Sequence, residues 1–149
     1  MSKPSPTPQE IAEASRDAMW AQDRASQSLG MEILEVGPGR ARLRMRVRAE
    51  MCNGHHTCHG GMIFSLADSA FAFACNSHNK VTVANNCAIT FVAAAREGDE
   101  LTADAVERHR GGRSGVCDVT VTRQDGTLIA VFRGHSTQIK GELVSGLAP

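Results

Sequence analysis

The sequence predicts an α+β fold in which an antiparallel sheet of about five to six strands wraps around one long central helix, with an extra helix at the N-terminus. Three observations carry that prediction. Residues 61–75 contain no proline and are apolar on nearly every side, which is the pattern of a helix buried all round. Two strand-like segments precede this helix and four follow it. Gly37-Pro38-Gly39, Gly111-Gly112 and Gln124-Asp125-Gly126 supply the turns of hairpins, so the strands run antiparallel. A sheet with one apolar face and a helix that is apolar all round satisfy each other when the sheet curls around the helix.

In chain order, residues 1–6 carry Pro4 and Pro6 and are expected to be a flexible tail. Thr7-Pro8-Gln9-Glu10 is a capping box with proline at the first helical position. The helix it opens carries Ile11, Ala14, Ala18, Met19 and Ala25 and stops at Gly30, with Trp20 packing it onto the body. Residues 31–36 and 40–49 form a hairpin. In its second arm Arg40, Arg42, Arg44, Arg46 and Arg48 alternate with Ala41, Leu43, Met45, Val47 and Ala49, so one face is apolar and the other carries five arginines. That row reads as a solvated face paired with acids such as Glu32 and Glu35, rather than as a phosphate track. The central helix follows and frays near Asn76 and Ser77. Residues 81–95 read as a long buried strand rich in β-branched and small residues, with Asn85-Asn86 at a bulge. Residues 101–109, 114–123 and 127–139 are the remaining strands. The tail, about 142–149, is expected to be flexible, and the whole of 1–149 forms a single domain.

The central helix carries one charge, Asp68. Ser65, Asp68 and Ser69 stand at i, i+3 and i+4 and so share one narrow face. A carboxylate there loses hydration and needs either partners or a task. The helix opens at Gly60-Gly61, where the amides of Gly60, Gly61 and Met62 point out of a positive dipole end and can stabilise an oxyanion. Glycine lets a carbonyl approach that backbone closely. Gly60 and Asp68 are eight residues apart, roughly 12 Å along a helix. If both act on one substrate, the Asp comes from a second copy of the helix running antiparallel, in a two-fold homodimer.

The run Asn53-Gly54-His55, Thr57-Cys58-His59-Gly60-Gly61 and Phe64-Ser65-Leu66-Ala67-Asp68 closely resembles the hotdog-fold acyl-CoA thioesterases, in particular the branch associated with phenylacetic acid degradation (PaaI-type). The resemblance spans roughly residues 28–140. It implies the hotdog arrangement and hydrolysis of aromatic, phenylacetyl- or hydroxyphenylacetyl-type CoA thioesters to free acid and CoA. It also implies that the Gly60 amide polarises the thioester carbonyl, with Asp68 of the partner subunit as nucleophile or general base. Asn53 and His59 would orient the thioester or water, with Gly61 beside them in the substrate site and Asn86 near the catalytic Asp. The implied assembly is a homodimer with active sites across the interface, paired into a dimer of dimers. No cofactor is implied, since coenzyme A is part of the substrate.

Formal net charge is zero, which argues against bulk attraction to nucleic acid or an acidic membrane surface. The sequence shows neither a signal-peptide core nor an apolar run long enough to span a bilayer, and its five cysteines fit reduced thiols, so a cytoplasmic location is expected. Cys52, His55, His56, Cys58 and His59 raise a zinc reading. All five fall on one short loop with no second cluster, against the two spaced pairs of a structural zinc site, so no metal is expected. No GxSxG elbow is present. Arg108, Arg110 and Arg113 flank Gly111-Gly112, where a hairpin tip could close on a CoA pyrophosphate or simply keep the hairpin soluble. The acyl pocket depends on how Phe64, Phe71, Phe73, Phe91 and Phe132 are placed. The other readings are a non-catalytic acyl-CoA binder and a thioesterase for medium-chain acyl-CoA.

Overall fold

The computed structural model describes residues 1–147; residues 148 and 149, the end of the expected flexible tail, lie outside the described residues. Thr7 caps the first helix: its Oγ accepts from the Glu10 N–H at 3.2 Å, and the Thr7 N–H donates to the Glu10 carboxylate at 2.7 Å. This helix, α1, covers Pro8–Trp20, and a second, α2, covers Arg24–Ser28. The sequence reads as one helix up to Gly30, but the chain breaks at residues 21–23. There the Asp23 carboxylate accepts from the Ser26 N–H at 2.9 Å and so caps a fresh start. Trp20 packs on the body as expected, with its ring 6.2 Å from that of Phe73.

The strands are β1 Glu32–Gly37, β2 Arg40–Arg46, β3 Thr82–Phe91, β4 Glu100–Gly111, β5 Ser114–Arg123 and β6 Leu128–Gln138. They form one antiparallel sheet in the order β1-β2-β4-β5-β6-β3. The central helix α3, Gly60–Cys75, lies across its inner face, chiefly against β2, β4 and β5. Leu43, Met45, Leu66, Phe71, Leu101, Val119 and Ile129 are buried between them. This is the expected α+β hotdog arrangement. The arginine row lies on the outer face, where Arg40 pairs with Glu35, Arg42 with Asp104 and Arg44 with Glu32.

Two strands depart from their reading. The second arm of the first hairpin was expected to run over residues 40–49, but β2 stops at Arg46 and the chain turns through a short 3-10 helix at Ala49–Met51. The 81–95 stretch was expected to be a long buried strand, but β3 ends at Phe91 and lies at the sheet edge, hydrogen-bonded to β6 alone. Val83, Asn85, Asn86, Ala88, Thr90 and Phe91 are exposed. Apolar composition reports a strand's affinity for covered surroundings, while sheet order decides whether a neighbour in the same chain supplies them. The other edge strand, β1, is flanked by α1, whose Gln9 donates to the Val36 carbonyl at 2.8 Å. The Asn85 bulge occurs where the sequence suggested one, between Ala84 and Asn86.

Residues 142–147 have no helix or strand, yet they are tied down. Asn79, fully buried in the left-handed region at φ 58°, donates to the Val144 and Leu147 carbonyls and accepts from the Val144 N–H. None of the helices in the described residues is long and apolar enough to cross a membrane.

Candidate active site

The site is built on the loop that feeds α3. Cys52 and Cys58 stand opposite each other, framed by His59 N–H to Met51 carbonyl at 2.8 Å and Asn53 N–H to Thr57 carbonyl at 2.9 Å. Inside this neck the Asn53 Oδ1 accepts from the His55 N–H, the Thr57 N–H and the Thr57 hydroxyl. Its carboxamide oxygen is therefore committed to the loop, and its NH2 is the end left for a ligand. The Cys58 N–H donates to the Ala95 carbonyl at 2.7 Å, which locks the loop to the chain that leaves β3. Among the described residues no three His, Cys, Asp or Glu side chains gather closely enough to hold a metal ion. All five cysteines are free thiols, and burial pushes Cys58 up to about 11.

Three amides were expected to be available at the start of α3, but the structure leaves one. His59 is the N-cap, and its Nδ1 accepts from the Gly61 N–H at 2.9 Å. The Met62 N–H donates to the His59 carbonyl at 2.9 Å. The Gly60 N–H has no partner among the described residues. A neutral His59 ring makes the cap bond only with its proton on Nε2, so that nitrogen is the one it can offer to a ligand. Gly60 lines an open cleft of about 460 Å³ with Thr57, Cys58, Ile63, Phe91 and Val92.

The polar face of α3 divides. The Ser65 hydroxyl donates to the Gly61 carbonyl at 2.8 Å, and the Ser69 Oγ pairs with the Ser26 Oγ at 2.8 Å. Asp68, between them, is half-buried and has no hydrogen bond or ion pair among the described residues. Burial raises its carboxyl above the ordinary 3.8. Its charge also adds to the upward push that burial gives the Cys87 and Cys75 thiols. Asp68 does not line the Gly60 cleft.

The other expected residues are dispersed. Asn86 pairs with His135 on the outer face of the sheet, whereas Cys87 faces the helix with Gly134, so Asn86 points away from Asp68 of its own chain. Arg108 also lies on the outer face, 3.2 Å from Asp118, which holds Arg133 as well. Arg110 and Arg113 border a crevice with Cys75 at the opposite end of α3 from Gly60, and neither has a carboxylate partner among the described residues. Of the five phenylalanines, Phe71, Phe73 and Phe132 are core, and Phe64 packs edge-on against Phe132 with centroids 5.4 Å apart. Phe91 alone is exposed, and it reaches the cleft. Nothing local in the sequence marks it, because it meets Gly60 across 31 residues of chain.

The family model of the thioesterase superfamily matches residues 55–130, which run from His55 in the loop through α3, β3, β4 and β5 to the start of β6. The acyl-coenzyme A thioesterase PaaI of Escherichia coli is 44% identical over 126 residues, 85% of this chain and 90% of that protein. The structure of the E. coli PaaI protein from the phenylacetic acid degradation operon superposes with a TM-score of 0.90 at 42% identity, covering 91% of this chain and 99% of that one. A mutant of the phenylacetic acid degradation protein PaaI from Thermus thermophilus gives 0.76 at 34% identity, covering 78% and 100%. A Streptococcus mutans protein solved with acetyl-CoA gives 0.72 at 25%, covering 75% and 90%.

Proposed function

The chain belongs to the thioesterase superfamily, and on that premise we propose that it is an acyl-CoA thioesterase that hydrolyses phenylacetyl-type CoA thioesters within phenylacetate degradation. The observation that carries the chemistry is the Gly60 N–H, the one amide at the start of α3 left without a partner, opening on a cleft. A thioester carbonyl accepting from it gains a donor aimed at the oxygen where charge develops in the tetrahedral intermediate. The helix dipole acts in the same sense. The Asn53 NH2 and the His59 Nε2–H are the further donors on this side, and Gly61 contributes its lack of a side chain rather than its amide.

Asp68 supplies the base. A half-buried carboxylate with no partner has a raised pKa and takes a proton from water more readily than an ordinary aspartate. It cannot reach the carbonyl held by its own Gly60, roughly 12 Å away along the axis, so the site is shared between two copies. The unpaired β3 edge, with its exposed apolar side chains, is where a second copy running antiparallel would add. The same two-fold axis carries the second copy's Arg110 and Arg113 from the far end of α3 to the Gly60 end, where the CoA phosphates lie. The assembly is thus a homodimer with two sites across the interface, and two dimers form a homotetramer. The reaction needs no cofactor, and the five thiols suit the cytoplasm.

Steady-state hydrolysis of phenylacetyl-CoA, its ring-hydroxylated forms, benzoyl-CoA and medium-chain acyl-CoAs tests the reading; turnover favouring the arylacetyl thioesters is expected. Tight binding without turnover would make the protein an acyl-CoA binder. A single turnover in ¹⁸O-water should place the label in the acid and not in Asp68; label in Asp68 would make it the nucleophile.

A further inference from the structure

Phe91 stands where no core requirement puts it. Half its surface is exposed, although an aromatic side chain gains by burial. The backbone beneath it is fixed. Phe91 is the last residue of β3, opposite Ala130, and the Val92 and Ala93 N–H groups both donate to the Ile129 carbonyl, at 2.7 and 3.2 Å. From that anchored position the ring leans over the start of α3. Its Cζ lies 2.9 Å, and its Cε atoms 3.3 Å, from the point a Cβ on Gly60 would occupy. The ring tip and the unpaired Gly60 amide therefore border the same cleft, with Ile63 and Thr57 alongside.

We propose that Phe91 is a specificity-determining residue, the wall on which the aromatic part of the acyl group stacks while its carbonyl accepts from Gly60; this rests on the thioesterase reading. Because the ring tip lies against Gly60, an acyl group whose carbonyl accepts from the Gly60 amide can lay its aryl ring beside Phe91, at the roughly 4.5–7 Å where aromatic rings pair. The ring thereby gives one residue two effects. It closes the space a longer side chain at position 60 would fill, and it presents a flat apolar face beside the reacting carbon. A flexible alkyl chain gains only contact area there, whereas an aryl ring gains the pairing as well.

The test compares kcat/KM for phenylacetyl-CoA and cyclohexylacetyl-CoA, which match in size but differ in aromaticity, in the wild type, Phe91→Leu and Phe91→Trp. The aryl-to-cyclohexyl ratio should fall roughly five- to tenfold in Phe91→Leu, the upper range of an aromatic pair, and recover in Phe91→Trp. Melting temperatures within a few degrees of the wild type's show that the fold survives. An unchanged ratio, or an equal loss on both substrates, overturns the role of Phe91 while leaving the thioesterase reading standing. A wild type that cleaves neither compound nor any other CoA thioester overturns both.

Discussion

The two ends of α3 treat polar groups in opposite ways. At the C-terminal end the buried side chains of Asn76, Ser77 and Asn79 are all satisfied. Asn76 donates to the Ala72 and Thr82 carbonyls and accepts from the Thr82 N–H. Ser77 donates to Ala74 and accepts from Gly39, and Asn79 makes three bonds to the tail. At the N-terminal end and along the middle, the Gly60 N–H, the Asn53 NH2 and the Asp68 carboxylate have no partner among the described residues. Satisfied groups hold a fold together, and leaving one without its partner costs about 1–3 kcal/mol. Groups left unpaired do nothing for the fold and are available to a substrate. The first end predicts losses of stability, the second losses of rate.

The sharpest separation is Gly60→Pro. Position 60 opens the helix, where proline is favoured, and His59 at ψ 133° already has the backbone that precedes a proline. The substitution deletes the N–H with little else besides pressing on Phe91, so kcat should fall roughly 10²–10³-fold, the value of one oxyanion donor. Gly60→Ala keeps the N–H and adds the same pressure on the ring, and its loss should be at least tenfold smaller. Mixing Gly60→Pro with Asp68→Asn chains should restore activity if the sites cross the interface, because one site in each mixed dimer is intact.

At the other end, Asn79→Ala should lower the unfolding free energy by about 2 kcal/mol, measured by denaturant titration, with kcat of the folded fraction unchanged. Asn53→Asp keeps the oxygen that gathers His55 and Thr57 but replaces the NH2, and about a tenfold fall in kcat is expected, the worth of one hydrogen bond. The smallest effect is Arg110→Ala, a KM raised about two- to threefold with kcat held, fading as salt rises, because an exposed cation contributes little and is screened.

Much of this was legible in the sequence. The arginine alternation marked β2 as far as Arg46 and its two faces, the capping box marked the start of α1, and the apolar run opened by Gly60-Gly61 marked α3. Asp68 stood out because a lone charge in such a helix lacks local solvation. What could not be read depends on long-range placement. Asp23 starts a second helix inside a stretch whose composition suits one, and β3 is an edge strand because of sheet order, which no local pattern encodes. That His59 takes the Gly61 amide depends on its side-chain rotamer, and that Phe91 covers Gly60 depends on where β3 ends.

The central claim is that Asp68 is kept unpaired for chemistry. Burial raises its folded pKa above 3.8, so the folded state holds that proton more tightly than the unfolded one. Its ionisation therefore costs stability as pH rises from the unfolded value through the folded one, and activity that needs the carboxylate is lost as pH falls through the raised value. One measurement tests this directly: kcat with phenylacetyl-CoA and the melting temperature at neutral pH, for the wild type beside Asp68→Asn. The prediction is a loss of at least about a hundredfold in kcat, the contribution of an essential acid or base, with a melting temperature equal to or above the wild type's. A variant that retains turnover, or one that loses it only because it melts at a lower temperature, would contradict the claim.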